Sequence, residues 1–111
     1  LRILNEDNDE KELLFVLNDN LADGHDVSWI WDINFDTLNH VSRIVTSGTR
    51  AYDIAIRIKT AGFPVDKIEP YLDIHEAVEN FYQTNIKKYV IANYTALQPT
   101  RTEIIKCKEQ L

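Results

Sequence analysis

Leu13-Leu14-Phe15-Val16-Leu17 is an unbroken apolar run, with charged residues before it and Asn18-Asp19-Asn20 after it. A strand with one wet face alternates apolar and polar residues. A strand that is apolar at every position needs cover on both faces, as inside a parallel sheet flanked by helices. Residues 12–17 are therefore expected to form a central strand, and the rest of the chain has to supply its neighbours and the covering helices.

The remaining pattern meets that demand. Val41 to Thr46 reads as a second strand, ending in Ser47-Gly48-Thr49. From Arg50 to Ala61 the apolar positions Ala51, Ile54, Ala55 and Ile58 recur at helical spacing, while Arg50, Asp53 and Arg57 fall on another face, the last two at a favourable i,i+4 separation. Gly62 stops this helix, with Pro64 just beyond. Lys67 to Tyr71 is a short strand that Pro70 assigns to a position near a sheet edge. Asp73 with Glu76 forms a capping-box signature for a helix burying Ile74, Ala77, Val78, Phe81 and Tyr82. Tyr89 to Tyr94 is expected to be a second strongly buried strand. Pro99 is expected to open a last helix through Ile104, Ile105 and Cys107. Leu1 to Leu4 reads as an edge strand followed by a solvated acidic turn, and Val27 to Leu38 as a short helix. Strand and helix alternate, which gives an α/β fold with a mostly parallel sheet flanked by helices. Its 111 residues suffice for a single domain, 1–111, with one core. The lack of any methionine leads to the expectation that this domain is excised from a longer multidomain chain.

Composition removes several function classes. A net charge of −6 with no Lys/Arg cluster argues against nucleic acid. No apolar run approaches the roughly 20 residues of a transmembrane span. Cys107 has no cysteine partner in the chain, which fits a reducing compartment and a packing role. The acidic run at the start lacks the glycine and distal glutamate of a calcium loop.

The chemistry-bearing residues gather just past the central strand. Asn18 to Asp32 packs four aspartates, two asparagines, a histidine and two tryptophans around a single glycine. Open α/β sheets keep their sites outside the carboxyl ends of their strands, so the loops at Asn18–Asp26, Ser47–Arg50 and Asn93–Thr95 are expected to converge there. Asp19 and Asn20 suit either a turn or a ligand contact. Asp26 suits a helix N-cap. Asp23, between Ala22 and Gly24, has small neighbours that leave its carboxylate accessible from outside. His25 beside Asp26 lacks the further ligands of a zinc site, so no metal is assigned. Trp29 and Trp31, two residues apart, cannot share a helix face, and a semi-exposed Trp29 beside a polar loop would serve as a partner anchor. Ser47 to Arg50 puts backbone N–H groups and a cation at a helix start, where a phosphate or carboxylate can be held. There is no GxxxxGK[ST] loop, no glycine fingerprint for a dinucleotide and no readable Ser-His-Asp or Cys-His set. The chain alone is expected to hydrolyse neither ATP nor glutamine.

Asp19-Asn20-Leu21-Ala22-Asp23-Gly24, Asp26-Val27-Ser28-Trp29-Ile30-Trp31-Asp32, Ser47-Gly48-Thr49-Arg50-Ala51-Tyr52-Asp53 and Tyr94-Thr95-Ala96-Leu97 together resemble the C-terminal domain of the MurT family, the Mur-ligase-like synthetase subunits of lipid II isoglutaminyl synthase. The likeness covers the chain from Leu13 onward and implies a Rossmann-like Mur ligase C-terminal domain. It departs from ordinary Mur ligases in one loop. Where many of those carry Asp-Tyr-Ala-His-x-Pro, this chain has Asn20-Leu21-Ala22-Asp23-Gly24-His25, so their role for that loop does not transfer.

The resemblance further implies an ATP-dependent amidotransferase that converts the D-glutamate of the lipid II stem peptide to D-isoglutamine. ATP and Mg would bind a central domain outside this chain. A GatD-type glutaminase would supply ammonia from a cysteine–histidine pair, completed by an aspartate from this domain: Asp23, with Asp26 in reserve. Ser47, Arg50, Asp19 and Asn20 would face nucleotide or substrate, and Trp29 and His25 the partner. The alternative is a non-catalytic lid that closes on the ATP domain and docks the glutaminase. Either way the resemblance implies a cytoplasmic protein, or one held peripherally at the inner membrane face through lipid II.

Overall fold

The computed structural model describes residues 9–18, 40–92 and 94–109. Four strands, β1 (Lys11–Val16), β2 (Val41–Ser47), β3 (Ile68–Tyr71) and β4 (Lys87–Ala92), form a sheet in the order β3-β2-β1-β4. All three pairings are parallel. Among the described residues three α-helices accompany them: α1 (Ala51–Thr60), α2 (Ile74–Phe81) and α3 (Tyr94–Glu109), with a 3-10 turn at Val65–Lys67. The architecture is the expected α/β one. The expected elements at Leu1–Leu4 and Val27–Leu38 lie outside the described residues.

β1 is central because its side chains alternate between two apolar layers. Leu13, Phe15 and Leu17 pack with Ile44, Ile68 and the inner face of α1, Ile54 and Ile58. Leu14 and Val16 point the other way, into a layer with Val45, Ala77, Val78 and Phe81, and with Ala96 of α3. Burying a residue such as Leu or Phe contributes on the order of 1.5–3 kcal/mol, so this double layer is the main source of stability. Cys107 packs, half-buried, against the second layer.

Local signals set the boundaries. Gly62, at φ +103°, donates its N–H to the Lys59 carbonyl at 3.0 Å, and Phe63 donates to Ile58 at 3.3 Å. These are the two reversed bonds of a Schellman stop, and Phe63 folds back onto the first apolar layer. Asp73 caps α2 by accepting from the His75 N–H at 3.1 Å, while Glu76 adds negative charge to the first turn. β3, carrying Pro70, is an outer strand of the described sheet, as expected.

Two expectations are corrected. The residues of Tyr89–Tyr94 do not form a strongly buried strand. β4 is an outer strand of the described sheet, with Val90 36% exposed, and Tyr94 already belongs to α3. Pro99 does not open the last helix either but lies within it, at the sixth residue. The helix starts earlier because Ala96 and Thr100, one turn apart, can both be buried. Thr100 Oγ1 donates to the Ala96 carbonyl at 2.7 Å, close to the place where the proline ring removes a donor.

A polar layer lies at the amino end of the sheet, on the α2 side. The Glu12 carboxylate, 3% exposed, accepts from Arg43 (3.1 Å), Lys88 (2.7 Å) and Thr84 Oγ1 (2.6 Å). Arg43 also reaches Glu69 at 3.4 Å and donates to the Asn80 and Phe81 carbonyls at 3.1 and 3.0 Å. One guanidinium thus serves three strands and the carbonyl end of α2.

Candidate functional site

β1, β2 and β3 follow one another outward on one side of the sheet, and β4 returns to the other side of β1. The chain thus reverses direction between β1 and β4, and in open parallel sheets ligands sit outside the carboxyl ends at such a point. Leu17 and Asn18 leave β1 there, and α3 begins there after Ala92.

The exit from β1 is tied to the start of α1. Leu17 donates its N–H to the Ser47 carbonyl at 3.0 Å, its carbonyl accepts from the Arg50 N–H at 3.0 Å, and Asn18 Oδ1 accepts from the Thr49 N–H at 3.2 Å. This crossing requires Gly48, at φ +90°: a Cβ there would run into the Leu17 carbonyl oxygen and approach Asn18 Oδ1 at 2.7 Å. The expected convergence of Ser47–Arg50 with the start of the acidic loop is therefore present over the described residues.

Arg50 sits at the N-cap of α1 and donates to Asp53 Oδ2 at 3.1 Å. Asp53 thus pairs back to Arg50 across the first turn and offsets the cation at the positive end of the helix. Three donors at this junction are spent. Thr49 and Arg50 donate to Asn18 and Leu17, and Ala51 donates to the Gly48 carbonyl at 3.2 Å. The part-exposed Arg50 guanidinium remains as a cation at this edge. Ser47 is fully buried at the end of β2, and its Oγ has no hydrogen-bond partner among the described residues. An unsatisfied buried hydroxyl is costly.

Of the residues singled out from sequence, Ser47 and Arg50 both lie at this edge. Asp19, Asn20, Asp23, His25, Asp26 and Trp29 lie outside the described residues, as do Trp31 and Asp32. Sequence reasoning gave no role to Asn18 or Gly48, the two residues that lock the crossing. An amide after an apolar strand and a glycine at a strand-to-helix junction were the available signals. Among the described residues no group of three His, Cys, Asp or Glu side chains could hold a metal ion, and no helix is long and apolar enough to cross a membrane.

A second surface lies on the outer side of α1. Tyr52, Ala55, Ile56 and Lys59 of the helix, with Val65, Ile68 and Pro70, line an apolar groove of 160 Å³. Tyr52, Ile56 and Val65 are each more than half exposed.

Residues 1–97 match the model of the family described as MurT ligase C-terminal. Among curated proteins, the chain is 34% identical over 88 residues to the lipid II isoglutaminyl synthase (glutamine-hydrolyzing) subunit MurT of Streptococcus pneumoniae, a match covering 77% of this chain and 20% of that protein. It is 38% identical over 92 residues to the subunit of the same name from Staphylococcus aureus strain COL, covering 81% and 21%. The chain thus spans about a fifth of the length of the relatives it matches. A four-stranded parallel sheet with helices on both faces is what a Rossmann-like domain of this kind requires, and the chain belongs to the MurT ligase C-terminal family.

Proposed function

We propose that this chain is the C-terminal domain of an ATP-dependent amidotransferase subunit that converts the D-glutamate of the lipid II stem peptide to D-isoglutamine. In this reading it docks a GatD-type glutaminase and completes that enzyme's cysteine–histidine pair with an aspartate, Asp23, or Asp26 in its place. The observation that carries the reading is the tie of Leu17 and Asn18 to Thr49 and Arg50 at the switch point of the sheet. It brings Asn18, the residue before Asp19, to the start of α1. A carboxylate on the far side of an imidazole sets its tautomer and orientation, so that the cysteine thiolate can form and attack.

ATP with Mg belongs, in this proposal, to the central domain of the full-length protein, which would use it to activate the α-carboxylate of D-glutamate. Arg50 and Ser47 fit a role toward that side: one is a part-exposed cation, the other a buried hydroxyl without a partner among the described residues. Asp19 and Asn20 are assigned to the same side, Trp29 and His25 to the glutaminase. The compartment is the cytoplasm, at the membrane face where lipid II is reached.

The second reading, a non-catalytic lid that docks the glutaminase, is favoured by the exposed groove of Tyr52, Ile56 and Val65. Reconstitution separates these proposals from unrelated functions. Full-length protein with a GatD-type subunit should amidate lipid II from glutamine and ATP, whereas either subunit alone, or the 111-residue chain, should not. Glutamine-driven amidation without the second subunit would overturn the proposal.

A further inference from the structure

His75 is the second residue of α2, and both nitrogens of its ring face carboxylates. Nδ1 lies 2.7 Å from Glu103 Oε2 of α3, and Nε2 lies 3.0 Å from Glu79 Oε1 of α2. A neutral imidazole carries one N–H and satisfies one of these contacts; at the other it would set a lone pair against carboxylate oxygen. Both contacts together require the imidazolium. The first turn of a helix disfavours a cation, so it is the carboxylates that retain the proton.

Few of the described side chains of the helix on the far side of this contact are buried. α3 buries Ala96 and Thr100 and half-buries Ile104 and Cys107, while Leu97 and Ile105 are about half exposed. Pro99 removes one of its internal donors. A polar tie therefore carries weight in holding it.

We propose that the His75–Glu103 contact is a proton-operated clamp, closed with the imidazolium and opened by its deprotonation, which holds α3 against α2. Because α3 starts at the carboxyl edge directly after β4, opening the clamp loosens that border of the crevice. This device goes beyond the amidation reading and does not depend on it.

The charges around the ring agree in direction. The Glu103 hydrogen bond first, then the charge of Glu79, raise the His75 pKa above its ordinary 6.5 against the opposing effect of burial, and the charges of Glu103 and Asp73 add to the rise. On α3, Lys106 reaches the other Glu103 oxygen at 3.8 Å. The strands under α2 carry Glu12, Arg43 and Glu69, grouped where Arg43 meets the carbonyls at its opposite end. A raised folded-state pKa places the clamp's contribution fully below pH 6.5, and it is lost as pH rises through the raised value.

The test is made on the 111-residue chain by NMR. The His75 ring nitrogens are titrated, and amide exchange protection in α3, corrected for intrinsic rates, is followed across the same pH range. The expected midpoint lies above 6.5, with both ring nitrogens protonated below it. Protection from Ala96 to Cys107 should fall about two- to fivefold on crossing it, the range an exposed ion pair supports. Glu103→Gln should lower the midpoint, and His75→Gln should flatten the pH dependence of protection. An ordinary midpoint, constant protection across it, or the same pH dependence in His75→Gln would each overturn the clamp.

Discussion

Asn18 Oδ1 accepts the Thr49 N–H at 3.2 Å, which ties the residue that follows the central strand to the turn that starts α1. With the Arg50 N–H to Leu17 carbonyl bond beside it, this contact makes two strand exits into one unit.

Gly48 is where that unit is most easily broken. Gly48→Ala adds left-handed backbone strain of about 1–2 kcal/mol and drives a methyl group at the Leu17 carbonyl and Asn18 Oδ1. The expected loss is roughly 2–4 kcal/mol in urea unfolding, with Leu17 and Asn18 showing the largest amide shift changes. A variant as stable as the parent would show that the crossing relaxes at no cost.

Glu12 makes the amino end of the sheet sensitive to acid. Burial pushes its carboxyl up, but the hydrogen bonds from Lys88 and Thr84 and the charge of Arg43 more than offset this and hold it below the ordinary 4.5. A lowered pKa means that its contribution is complete above about 4.5 and lost as pH falls through the folded value. Glu12→Ala leaves Lys88 and Arg43 without their shared anion and should cost about 3 kcal/mol or more at neutral pH. It should also flatten the decline of stability below pH 4.5. An acid limb unchanged in the variant would place that sensitivity elsewhere.

How far these features could be read from sequence depended on how local their causes are. The five-residue apolar run, the Ala51–Ile58 spacing, Gly62 and Pro70 act within one element or its end, and each stands where its chemistry requires. β4 was misjudged because its aromatic and aliphatic residues are only partly buried, Tyr89 and Ile91 against the first layer and Ala92 against the second, with Val90 exposed. Its outer place comes from strand order, which no segment encodes alone. Pro99 was misjudged because a tertiary demand, burial of Ala96 and Thr100, overrode the preference of proline for a helix start. The cluster of Glu12, Arg43, Glu69 and Lys88 joins residues up to 76 apart in sequence, with no local pattern to announce it. The position of Ser47 and Arg50 at a strand-to-helix junction was legible. The acidic stretch, Asp19 to Asp32, lies outside the described residues.

Arg50 allows the synthetase side to be tested apart from the fold. Its backbone N–H holds Leu17, and its guanidinium reaches Asp53, so alanine keeps the first contact and removes the second. In the full-length protein Arg50→Ala should depress amidation about tenfold or more even when free ammonia is supplied, as expected for loss of a cation beside developing phosphate charge. Unchanged ammonia-driven rates would remove Arg50 from that role.

The central claim is that one aspartate of the loop after β1 acts on the partner's histidine. The most direct measurement compares glutamine-fed with ammonium-fed amidation in the complete two-subunit enzyme for Asp23→Asn and Asp26→Asn. Asparagine keeps the size of the side chain but cannot stabilise an imidazolium. Asp23→Asn should therefore lower the glutamine-fed rate on the order of 10- to 10³-fold, below the 10⁴-fold known for serine proteases, and spare the ammonium-fed rate. Asp26→Asn should cost stability of about 1 kcal/mol or less and leave both routes standing. Equal loss of both routes in Asp23→Asn would contradict the claim, and selective loss of the glutamine route only in Asp26→Asn would transfer the role to Asp26.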